Sequence, residues 1–268
     1  SNFLILFVVL LLFLAFVGIE LFKSRRRQEP LLDLRRFKDR TFALSGLALV
    51  FYSIVLFGLL FLIPVYLQRL HHETALQAGL IQTTQALATL LILPLSGRLS
   101  DRIGPRPVAL IGLILLTATT LLMTGLSLQA PIWTIVGILI LLGWANGLAQ
   151  QIPVSAMSLI EKEEQREVAN GSTLITVLRN IAAPLGVALL SNVVQIRTQV
   201  YLHQPASQGL PGELLAQQSS LLAMHDSFFL ATFFTVVALA VMYFVPGKRK
   251  QREIQREHTP PLEEASLS

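Results

Sequence analysis

The chain has 268 residues, 53% of them hydrophobic and only 14% charged, with a net charge of +5 and no cysteine. Soluble domains carry about 25% charged residues, so this composition and a mean hydropathy of +0.63 exclude an ordinary soluble domain. The lack of cysteine excludes a disulfide framework and thiolate metal sites. The basic residues fall at the edges of apolar blocks, where membrane proteins place them, which argues against nucleic-acid binding.

Seven apolar blocks approach the ~20 residues that span a bilayer core as a helix. They predict spanning helices over 3–22, 43–67, 78–97, 108–128, 132–157, 170–195 and 225–246. The chain opens on Ser1-Asn2-Phe3, already inside the first block and without an initiator Met. That block lacks a basic leader and is followed by basic residues, so it reads as a spanning helix rather than a signal peptide. The chain is therefore expected to be a piece of a longer protein. Residues 23–42 form a basic linker. Pro153 and Pro184 fall inside the fifth and sixth blocks and predict kinks. Residues 196–224 read as a loop broken by Pro205, Gly209, Pro211 and Gly212, with a short interfacial helix over 213–222. The tail 247–268 is polar and expected to be disordered.

The basic residues also orient the chain. The gaps after the first, third and fifth blocks and the tail hold 18 of the 21 Lys and Arg, whereas the alternate gaps hold only Arg69 and Arg197. Cytoplasmic loops are the basic ones. The expected topology is multi-pass, with the C-terminus in the cytoplasm.

Motifs for phosphate cradles, dinucleotides or H-E-x-x-H zinc sites are absent from the sequence. His71-His72-Glu73 reads as a solvated loop, because adjacent histidines face apart and no second cluster supports a metal. No cofactor is expected. The stretch from Gly97 to Arg106 reads as a tight reversal, with Gly97 and Gly104 for close approach or positive φ and Pro105 for the first turn of the next helix. Asp101 is its one acid among Arg98, Arg102 and Arg106, so pairing across a helix interface competes with simple anchoring of the loop. Arg179 is the one ionisable residue near the centre of a block, and it shares a face with Ser172, Thr176, Asn180 and Ala183. It needs a partner, a water-filled cavity or backbone carbonyls. Gln82, Gln85 and Thr89 in the third block, and Gly143, Asn146, Gly147 and Gln150 in the fifth, form polar or small stripes that serve as interhelical glue or cavity lining. His225-Asp226 is placed at the start of the last helix, where an acid caps.

The Gly97–Arg106 stretch resembles the G-x-L-a-D-R-x-G-R-K loop of the major facilitator superfamily: Gly97, Leu99, Asp101, Arg102, Gly104 and Arg106 match, and Pro105 replaces the usual basic residue. The segment from Pro30 to Phe42 resembles the linker before the second half of fourteen-helix drug:proton antiporters of the EmrB/QacA type, and Asn170-Gly171-Ser172, Leu178-Arg179-Asn180 and Gly186-Val187-Ala188 resemble their penultimate helix. The resemblance implies an all-α polytopic bundle of seven spanning helices. Residues 1–22 would be an extra central helix, 43–246 the six-helix C-terminal half and 247–268 a cytoplasmic tail. It implies a bacterial inner-membrane exporter, not an enzyme, that exchanges protons for small amphipathic substrates by alternating access. Its partners would be the bilayer, a missing N-terminal half and a periplasmic adaptor. Gly97, Asp101, Arg102, Gly104 and Arg106 would form a gate, and Arg179, Asn180, Gln85, Asn146 and Gln150 the cavity or coupling network. The alternatives are a same-fold transporter of a siderophore, sugar or lipid, a membrane-embedded acyl transferase, and a non-transporting scaffold.

Overall fold

The computed structural model describes residues 40–128, 130–157, 165–203 and 212–245. The expected first helix (3–22), the basic linker up to residue 39 and the tail 247–268 lie outside the described residues. The regular elements are all α-helices: α1 Arg40–Leu70, α2 Ala75–Ile103, α3 Pro105–Met123, α4 Ile132–Ala149, α5 Gln151–Met157, α6 Gln165–Leu202 and α7 Gly212–Tyr243. Six spans are long and apolar enough to cross a membrane, with α4 and α5 counted as one over Ile132–Met157.

The helix ends follow local chemistry. Thr74 and Gln77 form a capping box at the start of α2, with the Gln77 amide donating to Thr74 Oγ1 at 3.3 Å and the Thr74 N–H donating to Gln77 Oε1 at 2.9 Å. Pro105 opens α3 at a first-turn position whose N–H needs no partner. Pro153 cannot donate to Ala149, and the fifth block breaks there, at Gln150, into α4 and α5. Pro184 equally cannot donate to Asn180, yet α6 runs on through it to Leu202.

Three expected boundaries are corrected. α2 continues through the expected reversal to Ile103, leaving Gly104 alone to turn the chain. The expected interfacial helix and the last span are one helix, α7, so His225 and Asp226 lie in its body and Asp226 caps nothing. α6 reaches Leu202, seven residues past the predicted end at 195.

α1 is the hub. Its most apolar window is 67% buried, and it packs against α6, α7 and α5, while α4 packs against α2 and α3, and α7 joins α3. Two crossings are close enough to require glycine. A Cβ on Gly186 would meet the Ile54 Cα at 2.7 Å, which seats α6 on α1. A Cβ on Gly143 would meet the Ala88 Cβ at 2.7 Å, and one on Gly147 would overlap Ile92, which seats α4 on α2. The G-x-x-x-G pair thus serves packing within this chain.

Candidate functional site

Three helices bring polar groups to the middle of the bundle. α6 supplies Arg179, which is partly buried, and Asn180, which is exposed. The Arg179 guanidinium carbon lies 5.6 Å from the centroid of the Phe57 ring, at the middle of the Phe42–Leu70 span of α1. The charge therefore sits at mid-depth and does not reach for a helix end. An Arg at a helix centre costs about 2.5–3.5 kcal/mol on insertion scales. A cation–π contact returns about 0.5–2 kcal/mol, so the ring offsets part of that cost. No carboxylate among the described residues pairs with Arg179.

On the same helix Ser172, Thr173, Thr176 and Asn180 are exposed, while Leu174, Ile175, Ala182 and Leu190 are buried. Thr176 Oγ1 donates to the Ser172 carbonyl at 2.9 Å, the usual way a spanning helix satisfies a hydroxyl. Ala183, expected on this face, is half-buried. Across α1, Tyr52 is fully buried and donates at a long 3.5 Å to the Asn146 carbonyl of α4. Tyr52 thus ties α1 to α4 at the level of Asn146.

Gln85 (6% exposed) and Asn146 (3%) are packed inside the bundle, and neither Gln85 Oε1 nor Asn146 Oδ1 has a hydrogen-bond partner. Buried orphans of this kind are uncommon and call for an explanation. Gln150 is half-buried at the α4–α5 break. Gln82 donates to the Leu60 carbonyl at 3.0 Å and Thr89 to the Gly143 carbonyl at 3.0 Å, so both act as glue between helices. Phe57 and Tyr52 were not singled out from the sequence. Tyr52 carried a signal, since tyrosine favours the membrane edge and this one lies well inside a span.

At the basic end, Gly97 lies within α2 with open space where a Cβ would stand, whereas Gly104 is buried at φ 98°, a conformation that favours glycine. Asp101 and Arg102 are exposed on the last turn of α2. Arg106 donates from a terminal guanidinium nitrogen to the Tyr243 carbonyl at 2.5 Å. It thereby places a cation on the C-terminus of α7, where the helix dipole is negative. Residues 97–106 thus tie α2, α3 and α7 together through Gly104 and Arg106.

At the opposite end, His71 Nε2 meets the Tyr66 hydroxyl at 3.2 Å, His72 Nε2 meets Gln217 at 3.1 Å, and His225 Nε2 donates to the Leu126 carbonyl at 2.6 Å. Burial pushes the His71 imidazole below its ordinary value; the Glu73 carboxylate opposes this and His72 adds to it. Asp226 binds Arg197 Nε at 2.8 Å and accepts from the Tyr201 hydroxyl at 2.8 Å. These contacts join the α1–α2 and α3–α4 loops to α7, and α7 to α6.

The family profile of the Major Facilitator Superfamily matches residues 46–266. The chain is 29% identical to the uncharacterized MFS-type transporter YhcA of Bacillus subtilis, with 85% of this chain and 49% of the relative covered. It is 32% identical to the multidrug resistance protein B homolog of Mycobacterium tuberculosis, covering 62% of this chain and 31% of the relative. It is 31% identical to the tetracycline resistance determinant of Streptomyces rimosus, covering 67% and 50%. The chain spans half or less of the length of these relatives.

Proposed function

Because this chain belongs to the Major Facilitator Superfamily and is a multi-pass membrane protein, we propose that it forms the C-terminal half of a fourteen-helix, proton-coupled exporter of small amphipathic molecules. The observation that carries this reading is the exposed polar face of α6 around Arg179. Hydrocarbon cannot solvate Thr176, Asn180 and a guanidinium at mid-depth. That face needs a water-filled cavity or a second protein surface, and a transporter whose site lies between two halves supplies both. The names of the multidrug and tetracycline resistance relatives favour a drug-like cargo.

In this reading the basic end lies in the cytoplasm of a bacterial inner membrane. Gly97, Asp101, Arg102, Gly104 and Arg106 hold the cytoplasmic gate, with Gly104 and Arg106 as its fixed points. Arg179, Asn180, Gln85, Asn146 and Gln150 belong to the cavity or coupling network. The buried Gln85 and Asn146 oxygens gain donors when the helices rearrange during alternating access. The missing N-terminal half provides the proton-carrying carboxylate, and a periplasmic adaptor takes the cargo onward.

Proteoliposomes test this directly. The intact protein is expected to move tetracycline, a fluorescent zwitterion, against its gradient when a proton gradient is imposed, and to stop when the gradient is collapsed. The chain without its preceding half is expected to move none. Export by this chain alone, or reporters placed after residues 35 and 210 appearing in one compartment, would refute the arrangement.

A further inference from the structure

We infer that Arg179 is a recognition site for an anionic ligand group, a carboxylate or ionised enol, so that the cargo of this exporter is an anion or zwitterion rather than a simple cation. The inference rests on the transporter reading and adds a cargo chemistry to it.

The charge inventory points this way. The described acidic side chains are Glu73, Asp101, Glu213 and Asp226. Glu73 lies between α1 and α2, Asp101 on the last turn of α2 and Glu213 on the first turn of α7. Asp226 is taken by Arg197 and Tyr201. None stands beside Phe57, where the guanidinium does. Among the described residues at this depth a cationic cargo would meet a like charge and no counter-charge.

The geometry suits an anion. A guanidinium is planar and offers its N–H groups along its edge, so an aromatic ring can cover its face while a carboxylate is bound by the edge in a two-pronged contact. The Arg179 guanidinium carbon lies over the Phe57 ring, 5.6 Å from its centroid. The Asn180 amide, on the next residue of α6, is exposed and offers donors of its own.

The test compares two probes with one ring system and opposite charges, pyrenebutyrate and pyrenebutylamine. They are titrated by fluorescence anisotropy onto the intact protein in phosphatidylcholine nanodiscs, with empty nanodiscs subtracted. Pyrenebutyrate is expected to bind at least about tenfold tighter than the amine, with Arg179→Gln abolishing the preference and Arg179→Lys keeping part of it. Asn180→Asp places a carboxylate one residue from Arg179, at an exposed position that leaves packing alone, and should weaken pyrenebutyrate about tenfold. Equal or tighter binding of the amine by the unaltered protein overturns the proposal. So does an Arg179→Gln that weakens both probes alike, the mark of an arginine held by a carboxylate of another segment. If Arg179→Gln does not accumulate, Asn180→Asp decides, and unchanged pyrenebutyrate binding overturns the proposal. Loss of tetracycline export with intact charge preference would sink the export reading alone. Export without charge preference would sink only this one.

Discussion

α2 and α6 are the two spanning helices the bundle covers least: 17% and 28% of their most apolar windows are buried, against 67% for α1. They occupy matching places, each seated by glycine contacts on a more buried helix, α2 on α4 and α6 on α1. Yet they are dressed in opposite senses. α2 turns Gln85, Ser96 and Ser100 inward and shows leucines outward, with Leu76 74% and Leu91 77% exposed. α6 buries Leu174, Ile175 and Leu190 and shows Ser172, Thr176 and Asn180. In water the α2 pattern would be inverted. In lipid an apolar outer face is at home, and the α6 face is the anomaly that requires a polar environment. Exposure alone does not locate a site in a membrane bundle; the chemistry of the exposed face does.

The largest effect should come from breaking the seat of α6. In Gly186→Val the new side chain overlaps the Ile54 backbone, which cannot swing away as a side chain can. The expected loss is about 3 kcal/mol or more, read as a lowered unfolding midpoint and a lost monodisperse peak in size-exclusion chromatography. Gly97→Ala is the control, because its Cβ would stand in open space, and it should be neutral or slightly stabilising, by up to ~1 kcal/mol.

The next test exchanges the outer surfaces. Leu91→Lys puts a charge on the leucine face of α2 and should cost about 2.5–3.5 kcal/mol if that face meets lipid or an apolar partner. Thr176→Leu, on the face of α6, should change stability by less than ~0.5 kcal/mol while lowering export. Equal costs at the two positions would erase the distinction between the helices. A third test reads the faces without perturbing them, because the chain has no native cysteine. A membrane-impermeant thiol reagent should label Asn180→Cys at least about tenfold faster than Leu91→Cys, since only a hydrated thiol ionises to the reactive thiolate.

Much of this contrast was legible in the sequence and part of it was not. The six described spans follow from apolar block length. The α6 face carrying Ser172, Thr176 and Asn180 follows from helical spacing, as does Pro105 at the start of α3. Helix ends were less legible. One glycine costs a helix only about 1 kcal/mol, so α2 runs on through Gly97 and its charged neighbours to Ile103. The direction of the polar stripes was hidden too. Spacing leaves Gln85 and Asn146 open between interhelical glue and cavity lining; both are buried inside this bundle, and spacing alone shows that a face is polar without showing whether it turns inward. The Phe57–Arg179 contact joins residues far apart in the chain and depends on the α1–α6 crossing, which no local pattern encodes.

The smallest effect bears on that hidden direction. Gln85 is 6% exposed and its Oε1 has no hydrogen-bond partner, so in this packing its amide is a cost rather than a brace. Replacing a buried orphan with an apolar side chain of similar size removes a desolvation penalty of about 1–3 kcal/mol, part of which is returned through imperfect packing. Gln85→Leu should therefore leave thermal stability unchanged or raise it by about 1 kcal/mol. If Gln85 gains a partner only when the helices rearrange, the same variant should export more slowly, because the rearranged state loses a hydrogen bond that the packed state never had. Lower stability with unchanged export would mean the opposite, that Gln85 is glue already engaged in the packed bundle. The inward face of α2 would then be inert, and the functional asymmetry would rest on α6 alone.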